Sequence, residues 1–503
     1  MQLQANMVVN HFNAARYVVN PTAYDSGETP EDGALSWDKI SKRSADSQAM
    51  LDYWDKTDAI MGGIKTMRDA GDAYLPKFPN ESKEEHDFRL TQTKMTNVYS
   101  DVVEGLASKP FEEEITLDGE DKTFDEFVED VDGAGNNLTQ FGAVTFFNGI
   151  NSVIDWIFVD YPNPPKGKIR TKEDQKKAGL RPFWSRVLGR NMLEAKSKII
   201  NGQETLVLCR ILEPGTPTRV RKFERTEDGV IEWTLYKKSE NTATTAVIED
   251  EGVITIGVIP LVPFATGRRI NKGFLFRPAM QGAVDLQVEL FQQESDLKFA
   301  KKMSAFPMLA GNGVKPEMSE DGKKPKRLAV GPAVVLYAPM DGSGKAGSWS
   351  YVEPSAQSLK FLADEIKETK QDLRELGKQP LTAQSGNLTV ITTAVAAGKS
   401  KSAVVAWALS LKDVLENAFK ITAMWMKTDV EPSVTVYTEF DSFLDGEDGL
   451  DKLITMNEKG KLSTETLHHE TKRRRYLSPE FNHTDEMGRI LGEAPVNPDD
   501  DET

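Results

Sequence analysis

Leu359, Leu362, Ile366, Leu373 and Leu376 recur three and four residues apart, with Thr369 in the slot where an unbroken seam would carry another apolar side chain. This spacing predicts a helix with one narrow apolar edge, suited to packing beside a few similar helices rather than inside a broad core. The rest of its surface carries Lys360, Asp364, Glu365, Lys367, Glu368, Lys370, Asp372, Arg374, Glu375 and Lys378, five of each sign. A second such helix lies upstream, where Ala283, Leu286, Leu290, Leu297 and Ala300 form a heptad seam interrupted at Gln293. Each of these predicted rods spans roughly 30 Å at about 1.5 Å per residue. They bracket a glycine-rich, β-like insert from Phe306 to Pro354.

The chain has 503 residues, too many for one compact core, and length alone suggests roughly two to four folded units. Hydrophobic residues make up 39% and charged residues 28%, which supplies enough core material to exclude wholesale disorder. The formal net charge of -16 argues against a surface built for nonspecific adhesion to phosphate backbones. Cys209 is the single cysteine, so no internal disulfide is expected. The opening MQLQANMVVNHFNAARYVV lacks a basic start joined to a long apolar stretch, so no export signal is expected. The apolar run GVITIGVIPLVPFATG is shorter than a bilayer span and broken by Pro260 and Pro263, so it reads as strand and turn, with no membrane association.

Patterning gives an α+β organisation. Residues from Ser36 to Leu106 read as helical, with Asn80, Glu81 and Ser82 before a charged first turn. Leu90, Met95, Val98, Val102, Val103 and Leu106 form one continuous helical face that ends at Lys109 and Pro110. A further helical unit runs from Thr123 to Ile150. From Asn151 to Phe264 short β-branched and aromatic runs alternate with turns and predict an antiparallel sheet region. QPLTAQSGNLTVITTAVAAG reads as a loop, followed by a long amphipathic helix from about Ser400 to Met426. PSVTVYTEF then reads as a strand, and the C-terminal part is helical again, capped by Ser463 or Thr464.

No catalytic, cofactor-binding or metal-ligating constellation emerges. AVAAGKS lacks the glycine that a phosphate loop needs five residues before Gly398, where Thr393 stands instead. His468 and His469 are adjacent on a predicted helix and point apart, so they do not share a metal. DGEDGLDK lacks the calcium-loop register, and Cys209 within LVLCRIL reads as a small core residue. Three basic runs remain, beginning at Lys166, Lys323 and Thr471. Each reads first as a solvated face, and the run inside the bracketed insert is the best placed to meet a partner.

The order of parts resembles the portal proteins (head-to-tail connectors) of tailed bacteriophages. The stretches that carry this are RLTQTKMTNVYSDVVEGLASKPF, DLQVELFQQESDLKFAKKMSAFPMLAG, ELGKQPLTAQSGNLTVITTAVAAGKSKSAVVAWALSLKDVLENAFKITAMW and GKLSTETLHHETKRRRYL. The resemblance implies a wing over residues 1–280, an outgoing stem helix at 281–305, a clip at 306–353 and a returning stem helix at 354–378. It further implies a tunnel loop, long helix and wing strand at 379–445, and a crown with an acidic tail at 446–503.

It also implies a homo-oligomeric ring, of twelve subunits in the family, with a central channel at one capsid vertex, assembled in the host cytoplasm and carried in the virion. Implied partners are the large terminase, the head-tail adaptor, a major capsid or scaffolding protein and the double-stranded DNA that passes through; no cofactor is implied. On this reading Gln384, Asn387 and Lys399 either line the channel or face a neighbouring subunit. Lys323, Lys324, Lys326 and Arg327 would dock partners on the clip. Leu286, Leu290, Leu297, Leu359, Leu362, Ile366, Leu373 and Leu376 would form the inter-subunit stem seam. The alternatives are another ring-forming adaptor or capsid subunit, and a packaging nucleotide hydrolase, which the missing phosphate loop disfavours.

Overall fold

The computed structural model describes residues 35–79, 81–118, 122–162, 180–213, 215–216, 218–240, 242, 244–305, 308–314, 347–352, 356–376, 390–438, 447–473, 476–478 and 481–492. Five helices open it: α1 (Trp37–Ser41), α2 (Ala45–Met61), α3 (Gly63–Asp69), α4 (Lys83–Thr91) and α5 (Val98–Ser108). After α6 (Asp125–Val128) and α7 (Leu138–Ser152) the chain turns to strands. The predicted α+β class is observed, with helices gathered on the sheets rather than alternating with each strand.

Every residue of β3 (Ile154–Asp160) is buried, because it is the middle strand of a three-stranded antiparallel sheet between β10 (Leu261–Ala265) and β4 (Phe183–Leu188). α7 packs against this sheet, and so does the long helix α10 (Val390–Met426). The ring of Trp184 meets Phe127, Phe141 and Phe419, and its Nε1 donates to Thr422 Oγ1 at 2.8 Å. Trp407 Nε1 likewise donates to Thr266 O at 2.9 Å, so the long helix is fixed by hydrogen bonds as well as by apolar contact. Gly149 is required where α7 crosses the sheet, since a Cβ there would lie 2.2 Å from the ring of Phe264.

The second sheet has six strands in the order β1-β9-β8-β7-β6-β5. Five of them form a meander: β5 (Met192–Ile200), β6 (Gln203–Leu212), β7 (Arg219–Arg225), β8 (Ile231–Lys238) and β9 (Thr245–Ile254). β1 (Leu35–Ser36) adds only two residues at the β9 edge, and β11 (Arg268–Arg269) and β12 (Phe276–Arg277) form a separate short antiparallel pair. One face buries Cys209, Phe223, Trp233 and Ile254 in the main core. Cys209 is a small core residue here, and burial pushes its thiol well above the ordinary range.

Three predicted elements differ. The helical face read as continuous to Leu106 is split into α4 and α5. Asn97 caps α5 by accepting from Ser100 N at 3.1 Å, and the intervening backbone is claimed by side chains from elsewhere, among them Arg68, which donates to Thr93 O. The long helix starts at Val390 rather than near Ser400, in keeping with the strong helix propensity of Ala394, Ala396 and Ala397. The strand expected at PSVTVYTEF shortens to β15 (Ser433–Thr435), which pairs with β2 (Thr116–Asp118). The C-terminal part forms α11 (Glu447–Glu458), α12 (Thr464–Arg473) and α13 (His483–Gly492), with Ser463 Oγ accepting from Thr466 N as predicted.

Asp155, on the buried strand, accepts from Asn148 Nδ2 at 3.2 Å through Oδ2, while among the described residues its Oδ1 meets no side-chain partner. Burial pushes its carboxyl up to about 7, against the opposing pull of Arg186 and Asn148. A raised carboxyl favours the folded state only while protonated, so its contribution fades as pH rises from the ordinary carboxylate range towards 7. Replacing Asp155→Asn should therefore stabilise the protein at pH 8 by on the order of 2–4 kcal/mol relative to its effect at pH 5. Urea denaturation at the two pH values would show whether this difference exists.

Candidate functional site

The seamed rods are α8 (Gln281–Ala305) and α9 (Ala356–Leu376), and they lie against each other. At their far end the chain enters and leaves the bracketed insert through an antiparallel pair, β13 (Met308–Asn312) and β14 (Ser348–Val352). Met308 faces Val352 and Asn312 faces Ser348, so the pair holds the two ends of the insert together. Lys323, Lys324, Lys326 and Arg327 lie outside the described residues, as do Gln384 and Asn387. Lys399 falls on α10, with its side chain outside the described ones. Gly398, Lys399 and Ser400 thus stand inside a helix rather than in the loop before one, where a phosphate cradle would need them.

The near half of the rod pair is anchored to the body by polar groups that sequence spacing did not single out. Glu294 on α8 has a side chain only 3% exposed, yet its carboxylate is fully partnered. It accepts from Thr96 N at 2.7 Å, Thr96 Oγ1 at 2.6 Å and Lys370 Nζ at 2.7 Å. One carboxylate therefore joins α8, α9 and the break between α4 and α5. One α-helical heptad earlier, Gln287 repeats the device: Oε1 accepts from Tyr99 N and Nε2 donates to Thr96 O, both at 3.0 Å. Arg89 of α4 closes the row: Nη1 meets Asp296 Oδ1 of α8 at 3.4 Å, while Nε and Nη2 are held by Glu81 at 2.9 Å, Nη2 also by Pro76 O, with the guanidinium 3.9 Å from the Phe78 ring centre. The seven-residue interval between Gln287 and Glu294 was the available signal, because it places two polar groups on one helix stripe.

Burial alone would raise the Glu294 carboxyl, but hydrogen bonds from Lys370 and Thr96 outweigh it and hold the group below its ordinary range. A depressed carboxyl contributes stability above its unfolded pKa and loses it as pH falls through the folded one.

Only part of the expected seam is available to a neighbour. Leu290, Ile366 and Leu373 are buried in the chain's own core, and Leu286 is half-buried against it. The reason is that α5 packs on the near halves of both rods and covers them. Thr369 sits in the seam without cost because its Oγ1 donates to Glu365 O at 3.0 Å. On the far half, Leu297, Leu359 and Leu362 are half-buried, and Phe361 is 68% exposed. The side chain of Leu376 is outside the described ones.

His468 does not pair with its neighbour His469. Its Nδ1 instead meets Nδ1 of His483 at 2.9 Å, bringing α12 to the start of α13. Among the described residues no group of three or more His, Cys, Asp or Glu is placed to hold a metal. Among them, too, no helix is long and apolar enough to cross a membrane.

Comparison with known proteins gives a match to a domain of unknown function, DUF4055, over residues 280–426, the stretch from α8 to the end of α10. No curated protein matches. Among solved structures, a chain from the neck of a native GTA particle, computed with C12 symmetry, is 11% identical, with 79% of this chain and 90% of that one covered at a TM-score of 0.39. A chain from the neck of an empty GTA particle, computed with C6 symmetry, is also 11% identical, over 80% and 91% of the two chains at a TM-score of 0.39. Likeness at this level carries no functional argument.

The Glu294→Gln variant should lose about 2–4 kcal/mol of stability at pH 7, because Lys370 and Thr96 would face a neutral amide with fewer acceptors. The deficit should shrink towards pH 3, where the wild-type carboxyl is itself protonated. Thermal unfolding of the two proteins across that range checks both the size and the direction.

Proposed function

We propose that this chain is a portal-type subunit: a structural, non-catalytic protein that forms a ring at one capsid vertex of a tailed-phage particle and passes double-stranded DNA through its centre. The carrying observation is the partly uncovered far half of the α8–α9 pair. Two rods of this kind, tipped by β13 and β14, leave Phe361 exposed and Leu297, Leu359 and Leu362 only half-covered by their own chain. Identical copies standing side by side would cover that edge. Because the edge is one-sided, each copy needs two different contact faces, and such a heterologous contact closes into a ring when its rotation closes. The sequence resemblance to portal proteins supplies the number of copies, twelve, together with the partners.

In this reading residues 306–353 form the clip, where Lys323, Lys324, Lys326 and Arg327 meet the large terminase during packaging and the head-tail adaptor afterwards. Gln384, Asn387 and Lys399 belong to the channel region, and the segment beyond 446 forms the crown. Assembly takes place in the host cytoplasm and the product resides in the virion.

Light scattering on the purified protein should give a mass many times the 55.9 kDa of one chain, and negative-stain images should show a ring with a central hole. A particle that stays monomeric at every concentration would overturn the reading. Phe361→Ser should shift the population from ring towards monomer while changing single-chain stability by less than about 0.5 kcal/mol, since the side chain is mostly solvated. Reversing the four clip charges to glutamate should weaken terminase capture and leave ring mass unchanged, which a pull-down paired with light scattering would read.

A further inference from the structure

The six-stranded sheet ends in two unlike open edges. β1 covers β9 only at Ala246 and Thr245, although β9 runs on to Ile254. At the other end, Leu193 O of β5 accepts from Ser44 N, and beyond that point β5 continues to Ile200. Among the described residues, neither Lys196–Ile200 nor Val247–Ile254 has a backbone partner outside the sheet's own ladders. Consecutive residues point to opposite faces of a strand, so exposure of both Lys198 and Ile199, and of both Val247 and Ile248, shows that each edge is uncovered on two sides. Ile199 is 72% exposed, and Val247, Ile248 and Val253 are half-exposed. Long apolar edges of this kind are templates for pairing with another chain.

Their charges decide which chain. The β5 edge carries Lys196, whose Nζ also meets Glu194 Oε1 at 2.7 Å, and Lys198; the ladder shifts between Lys196 and Ser197, but the extra residue, Val207, is on β6, so the two lysines stay two apart on β5 and on one face of it. The register Lys196–Leu208–Glu224–Glu232–Val253 carries that face across the sheet, so Glu251 shares it. A β5 edge against another β5 edge would set lysine beside lysine, and β9 against β9 would set carboxylate beside carboxylate, both unfavourable. Only the unlike edges match. We infer that the β5 edge of one copy pairs with the β9 edge of the next, continuing the sheet from subunit to subunit with Lys196 and Lys198 facing the Glu251 side. β5 and β9 point the same way, being four antiparallel steps apart, so copies rotated about an axis along the strands meet in parallel.

This inference rests on the ring reading and adds where the lateral contact lies. The test uses the full chain with Lys196→Glu/Lys198→Glu as one variant and Glu251→Lys/Val253→Lys as another. Circular dichroism establishes that each is folded. Each alone should lose ring assembly by more than tenfold and run at the mass of a single chain. Mixed in equal amounts they should regain rings, because each altered edge then meets its complement on the other variant, and the chain carrying all four substitutions should regain them alone. Rings that form equally well from either single-edge variant, or folded variants that mixing does not rescue, overturn the edge-pairing inference while leaving the ring reading intact. If the unaltered chain makes no rings, the ring reading falls and this inference falls with it.

Discussion

Glu294 is a carboxylate removed from water in the middle of a long helix, and a charge there survives only if its lone pairs are taken up by donors held in place. The donors come from Thr96 and Lys370, nearly two hundred residues before it in one case and on the partner rod in the other. Satisfying them fixes three things together: the depth at which α8 enters the body, its height relative to α9, and the break that separates α4 from α5. Gln287, one heptad away, repeats the constraint on the same break. Apolar contacts along the rods resist separation but slide easily; hydrogen bonds of defined direction set the register.

The consequence is a division of the rods into two halves with different tasks. The near halves belong to the body, with Leu290, Ile366 and Leu373 packed under α5. The far half of α8 still touches the body, with Lys302 Nζ on Gln92 Oε1 at 3.3 Å and over the Phe88 ring, and the pair holds β13 and β14 at its tip. The body itself is stiffened by aromatic packing around Trp184 and by the fully buried strand β3, between α7 and α10. A rigid body with an anchored pair of helices is a mechanical arrangement.

Much of this was legible beforehand. The period of three and four marked both rods, and alternation with turn residues marked the antiparallel meander, because burial on one side imposes those periods directly. Ser463 was legible as a cap for the same local reason: a hydroxyl before a helical run satisfies the first free N–H groups. The Glu294 clasp was not. In sequence, Lys370 is one of ten charges on a solvated rod and Thr96 one of many threonines, and nothing local says that they meet. His468 was weighed against His469 when its partner was His483, fifteen residues on, brought close by a helix turn that spacing does not encode.

The sequence by itself determined the type and order of most helices and strands and how narrow the apolar edge of each rod is, since these depend on neighbours within a few positions, although three elements changed in extent. Tertiary structure alone decided how that edge is shared. The near half is buried by α5 inside the chain and the far half stays partly exposed, because burial depends on which distant surface packs against a given side chain. The two open edges of the large sheet follow the same rule: the strands were readable from alternation, but which of them would end the sheet, and with which charges outward, was set by which strands pair with which.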